Sequence, residues 1–182
     1  GLYKYDLKTQ EETFLFKSDI ADPTQVIMSD LNDVYGIRMD EDYPSYIYLD
    51  SNNKEAQLHK ALYQAFNGDK IAITSKTKDG KKIVVHTSGD RNPGSFFLFD
   101  TVTMKAKPLF NSVPWIKPED MSPVEPFRIK TDDNFVINGL FTLPKGKAKN
   151  LPTVVIPHGG PHARDYWNYD PQAQMLANAG YA

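Results

Sequence analysis

Three short stretches of the chain run aromatic or aliphatic and close on aspartate: Tyr3-Lys4-Tyr5-Asp6, Ile47-Tyr48-Leu49-Asp50 and Phe97-Leu98-Phe99-Asp100. They lie 44 and 50 residues apart. Strands that end on a turn-forming residue at such a period are what stacked four-stranded antiparallel units produce, as in the blades of a β-propeller. The first and third copies also continue alike. Thr9 matches Thr103 and Phe16 matches Phe110, all at an offset of 94, so each copy reads as strand, polar turn, strand. The pattern by itself leaves a β-sandwich open beside the propeller.

Between the second and third copies, Ile71 and Ile73 alternate with polar residues, Asp79-Gly80 supplies a tight turn, and Ile83 and Val85 resume the alternation. This predicts a hairpin over residues 70–88. Its tip carries Lys76, Lys78, Lys81 and Lys82, but Asp79 stands among them and no aromatic is interleaved, so it reads as a solvated tip and not a phosphate site. One helix interrupts the β pattern. Leu58, Ala61, Leu62, Ala65 and Phe66 recur at helical spacing, and Gly68 falls where a C-terminal cap belongs.

From Pro108 to Pro126 the chain carries five prolines, which deny ladder donors and favour extended backbone. The expected organisation is therefore propeller blades over 1–112, a proline-rich linker over 113–126 and a second domain over 127–182. That last part opens with a hairpin: Phe127 and Ile129 alternate up to Asp133-Asn134, and Val136 to Leu143 alternates again. Then the pattern changes. Thr153 to Ile156 is a short continuous apolar run suited to a parallel strand buried on both faces. A polar loop follows, and Asp170-Pro171 supplies an N-cap and a first-turn proline to a helix that Gly180 ends. Strand, loop and helix make half of a βαβ unit, and a returning strand is due at Tyr181-Ala182. The chain therefore reads as an internal piece of something longer, with an incomplete parallel sheet whose edge predicts self-association.

Composition removes several functions. With 21 Lys plus Arg against 23 Asp plus Glu, the net charge is -2, and no global positive field is available for nucleic acid. Without cysteine the chain has no disulfide, no thiolate metal site and no cysteine nucleophile, which leaves its compartment undetermined. Its apolar runs fall far short of the roughly 20 residues that cross a bilayer, so no membrane partner is expected.

The chemistry sits in Pro157-His158-Gly159-Gly160-Pro161-His162-Ala163-Arg164-Asp165, directly after the apolar run. Two consecutive glycines let the backbone turn sharply and present N–H groups unobstructed by side chains, an anion-binding arrangement. In α/β-hydrolases a His-Gly-Gly loop after an early strand gives one N–H of the oxyanion hole, and the residue following the nucleophile gives the other. His158 and His162 are four apart, but the glycines and Pro161 between them oppose the helix that zinc ligation at that spacing needs, so no metal is expected. Arg164 and Asp165 read as a bracing ion pair, Asp90 and Arg91 as a turn between strands, and Trp115 and Trp167 as packing at a domain interface.

The stretch from Leu151 to His162, with Arg164-Asp165, Gln174, Leu176-Ala177 and Gly180-Tyr181-Ala182, resembles the acylaminoacyl-peptidase and dipeptidyl-aminopeptidase branch of the prolyl oligopeptidase family. Upstream, Asp90 to Gly94, Met121 to Pro126 and Leu143 to Gly146 are similar to that branch as well. The resemblance implies the last blades of a β-propeller followed by the truncated start of an α/β-hydrolase domain, in a serine peptidase that cleaves short peptides and uses no cofactor. By position it makes Gly160 an oxyanion N–H donor, Gly159 the residue permitting close approach, and His158, where other branches carry tyrosine, a wall of the hole. No serine here has glycine two residues before and two after, so the nucleophile elbow is absent and the triad is expected beyond Ala182. An esterase using the same loop and a non-catalytic propeller module remain as alternatives.

Overall fold

A computed structural model describes residues 1–30, 32–146 and 149–182. The chain divides into two compact units, Gly1–Gly68 and Asp69–Ala182. Antiparallel sheets dominate both, with few helices, an arrangement compatible with propeller-like blades.

In the first unit, β1 (Leu2–Tyr5) and β2 (Glu12–Phe16) form a hairpin, and β3 (Gln25–Met28), β4 (Val34–Asp40) and β5 (Pro44–Tyr48) form a three-stranded meander. Helix α1 (Lys54–Ala65) packs against β4. Asn53 caps it by accepting from the N–H groups of Glu55 and Ala56 at 2.8 and 3.1 Å. Its buried stripe is Ala56, His59 and Leu62, meeting Tyr35, Ile37 and Met39 on one face of β4. Leu62 lies in that stripe as its spacing predicts, but Ala65 is exposed, and the third buried position is His59, 2% exposed. His59 Nδ1 lies 2.9 Å from the Tyr48 hydroxyl, and the His59 ring meets Tyr46 edge-on at 4.6 Å. That bond and the aromatic wall let a polar ring sit on the buried face, at a position the expected stripe did not include. Burial pushes the Tyr35 phenol up to about 12, with the charges of Glu55 and Asp30 adding to it.

The second unit is built on a four-stranded antiparallel meander, β6 (Lys70–Lys76), β7 (Lys82–Ser88), β8 (Ser95–Asp100) and β9 (Lys105–Asn111), in sequence order. The expected 70–88 hairpin is β6–β7, and Gly80 takes a φ of +67° at its turn. Ile83, Val85 and Thr87 are buried on one face of β7, as period-two alternation dictates. The exposed strand β9 carries Lys105, Lys107 and Pro108, residues that discourage further pairing.

The 94-residue offset is a repeat of structure and not of letters alone. Tyr5 pairs with Glu12 as Phe99 pairs with Ala106, and Tyr3 with Phe14 as Phe97 with Pro108. Both ladders shift register at the same place, between Leu2 and Tyr3 and between Phe96 and Phe97. Asp6 accepts from the N–H groups of Lys8 and Thr9, and Asp100 from those of Val102 and Thr103. Gln10 and Met104 both take a left-handed φ, +59° and +55°. Asp50 likewise accepts from Asn52 N–H at 2.9 Å, but α1 follows where the other copies place a strand.

After a 3₁₀ turn at Pro118–Asp120 come β10 (Val124–Lys130) and β11 (Val136–Thr142), the expected second hairpin, and then α2 (Pro171–Asn178). Residues 113–126 run within the second unit. Asp170 caps α2 from Gln172 and Ala173 N–H at 2.7 and 3.0 Å, and Gly180 takes a φ of +94° beyond its end. No described helix is long and apolar enough to cross a membrane.

Candidate active site

The segment Thr153–Ile156 departs from expectation. It is extended but lies in no sheet, and Val154, Val155 and Ile156 are 42%, 83% and 43% exposed. A parallel strand is buried only when strands flank it and helices cover its faces, and here one residue of neighbouring backbone is present. That residue is informative. Ala182 N–H donates to Pro152 C=O at 2.9 Å, and Val154 N–H donates to Ala182 C=O at 2.8 Å. One residue bonded to the residues on either side of Thr153 is the bonding pattern of a single parallel rung.

The loop at 157–169 is thus strung between that rung and the cap of α2. Gly160 takes a φ of +142°, and a Cβ on it would lie 3.1 Å from His162 N and 3.2 Å from Ala163 N. Glycine is required there by conformation and by space. At Gly159 a Cβ would meet nothing within 4 Å, so the protein itself makes no such demand. Among the described residues, no hydrogen bond engages the N–H of Gly159 or Gly160. His158 Nδ1–H donates to Gly159 C=O at 2.7 Å, which holds the exposed ring beside the glycines. The Arg164 guanidinium lies 4.6 Å over the Tyr166 ring. No group of three or more metal-ligating side chains gathers among the described residues.

The two tryptophans expected at an interface part company. Trp115 is 77% exposed, since no described element covers it. Trp167 is half-buried, donates from Nε1 to Val124 C=O at 3.0 Å, and sits where a Cβ on Gly89 would come within 3.1 Å of its ring. Nearby, Asp90 and Arg91 do lie in the β7–β8 turn. Asp69 accepts from Asn92 Nδ2 at 2.9 Å, and burial pushes its carboxyl up, with that bond opposing and Asp90 reinforcing the shift.

Sequence reasoning singled out Gln174 without assigning it a task. It is buried on α2, three residues before buried Ala177, and a polar residue on the apolar stripe of a short helix was the available signal. Its carboxamide makes three main-chain bonds to distant segments, at Ser122 and Asp90.

No family model matches the chain. Among curated proteins, dipeptidyl aminopeptidase BIII of Pseudoxanthomonas mexicana is 29% identical over 127 residues, which cover 65% of this chain and 18% of that protein. A relationship to a peptidase is supported. The chain spans under a fifth of the length of the relative it matches.

Proposed function

We propose that this chain is the part of a serine peptidase of the prolyl oligopeptidase type that joins propeller blades to the start of an α/β-hydrolase domain, with the boundary in the proline-rich stretch 113–126. Gly160 offers one oxyanion N–H in this reading, Gly159 leaves room for a substrate carbonyl, and His158 walls the hole. The observation that carries the reading is the 157–165 loop: it leaves a segment bearing a parallel rung, holds Gly160 at a φ only glycine adopts readily, and, among the described residues, leaves the Gly159 and Gly160 N–H groups without an acceptor. Distant similarity to a dipeptidyl aminopeptidase supports peptide as the substrate class.

Such a loop stabilises the charge that develops when a nucleophile attacks a carbonyl. The serine, its base and the second N–H donor then come from residues outside this sequence, since no Gly-x-Ser-x-Gly occurs within it. The test expresses this sequence with the coding sequence on both sides and compares it with Gly160→Val. A β-branched residue cannot hold that φ without displacing the N–H, and kcat on a short peptide should fall on the order of 10² to 10³. A variant that turns over peptide normally sinks the assignment.

A further inference from the structure

Both ends of the candidate loop are tied to α2. The loop runs directly into the Asp170 cap, and the extended segment that leads into it is held at Pro152 and Val154 by Ala182, four residues past the helix. Whatever moves α2 therefore moves the anchors on both sides of the loop. Gln174 is the buried polar side chain that does so: Oε1 accepts from Ser122 N–H at 2.8 Å, while Nε2 donates to Ser122 C=O at 2.8 Å and to Asp90 C=O at 3.2 Å. Gln174 is 6% exposed and Ser122 5%. Two further side chains hold Val124, the first residue of β10: Asp90 Oδ2 accepts from its N–H at 2.8 Å, and Trp167 Nε1 donates to its C=O.

We propose that Gln174 is the positioning residue of the Gly159–Gly160 loop, a carboxamide clamp that fixes the loop against the β7–β8 turn of the four-stranded sheet. The inference deepens the oxyanion reading and rests on it for the use of the loop, but the clamp is testable without catalysis. Only a carboxamide supplies an acceptor and two donors in one plane at this site. A carboxylate keeps the acceptor, loses both donors and turns its charge toward two carbonyl oxygens. Its protonated form regains one donor.

The experiment uses the 182-residue chain with Trp115→Phe, so that Trp167 alone reports emission, and ¹H–¹⁵N spectra for the amides. Gln174→Leu should free the Ser122 amide, raising its exchange about tenfold or more, since the buried N–H loses the acceptor that protects it. The Gly159 and Gly160 cross-peaks should move and Trp167 emission should shift with them. Gln174→Glu should resemble Gln174→Leu at neutral pH and recover toward wild type as acid protonates the buried carboxyl, each state being compared with wild type at the same pH, because Asp69 beside Gly89 and Trp167 titrates in both proteins. Two outcomes overturn the clamp: glycine cross-peaks that stay in place although the Ser122 amide is freed, or a Gln174→Glu variant equally perturbed at every pH. Should Gln174→Leu fail to fold, the acid and neutral states of Gln174→Glu decide within one protein. Failure here with Gly160→Val still inactivating the longer enzyme removes the clamp alone, and the reverse pattern removes the oxyanion assignment alone.

Discussion

Gly94 shows how tightly one residue can be specified. Its φ is +145°, and a Cβ there would fall 2.6 Å from Ser112 Oγ and 2.8 Å from His86 Nε2. Gly94→Ala should cost about 1–3 kcal/mol through strain and crowding together, read as a lower urea midpoint at unchanged slope. Asp69 carries the opposite kind of information. Its folded carboxyl is held above the ordinary value, so the ionised form is disfavoured in the fold and stability falls as pH rises through the folded value. Asp69→Asn keeps an acceptor for Asn92 without the charge. It should therefore match wild type in strong acid and gain on it as pH rises to neutral; a variant less stable than wild type at neutral pH would show that the charge helps the fold.

Among the elements, the β8–β9 turn carries its own pH signature. Backbone N–H groups of Thr103 and Val102 hold the half-buried Asp100 carboxylate, which lowers its pKa and favours the ionised form; Thr103 is the larger cause. A carboxyl lowered on folding contributes stability that is present above its unfolded value and lost as pH falls through the folded one. Asp100→Ala should thus destabilise the chain at neutral pH by an amount that narrows in acid, followed by thermal melts across the pH series. The two hairpins were legible because turn chemistry is local: an aspartate, two following N–H groups and a residue of positive φ lie within five positions in both copies. His59 was not legible in this way. Its place in the α1 stripe depends on Tyr48 and Tyr46, and no helical periodicity announces a hydrogen bond to another strand.

For the whole molecule, catalysis and association are the quantities at stake. On the proposed reading, the 182-residue chain should hydrolyse neither peptide nor ester and should not label with a serine-directed fluorophosphonate, because its sequence holds no Gly-x-Ser-x-Gly nucleophile and only one part of the proposed anion hole. Stoichiometric labelling would place the nucleophile within these residues. The segment around Val155 has one ladder partner and exposed apolar side chains, so the chain should self-associate with rising concentration in sedimentation experiments. Val155→Lys should reduce that association. An unchanged sedimentation profile in the variant would send the contact elsewhere, to surfaces such as the exposed Phe135, Val136 and Ile137.

Strand alternation, helix caps and the Asp-closed turns could be read from the sequence alone, since each rests on contacts between near neighbours: Asp170 caps α2, Gly80 turns β6 into β7, and Phe16 and Phe110 occupy equivalent rungs. The glycine loop was legible as a motif for the same reason. Only the tertiary structure decided that Thr153–Ile156 is exposed, that Trp167 is held while Trp115 is not, and that Gln174 joins Ser122 and Asp90 from 52 and 84 residues away. Burial and long-range hydrogen bonding depend on which segments arrive beside a residue, and local spacing carries no record of that.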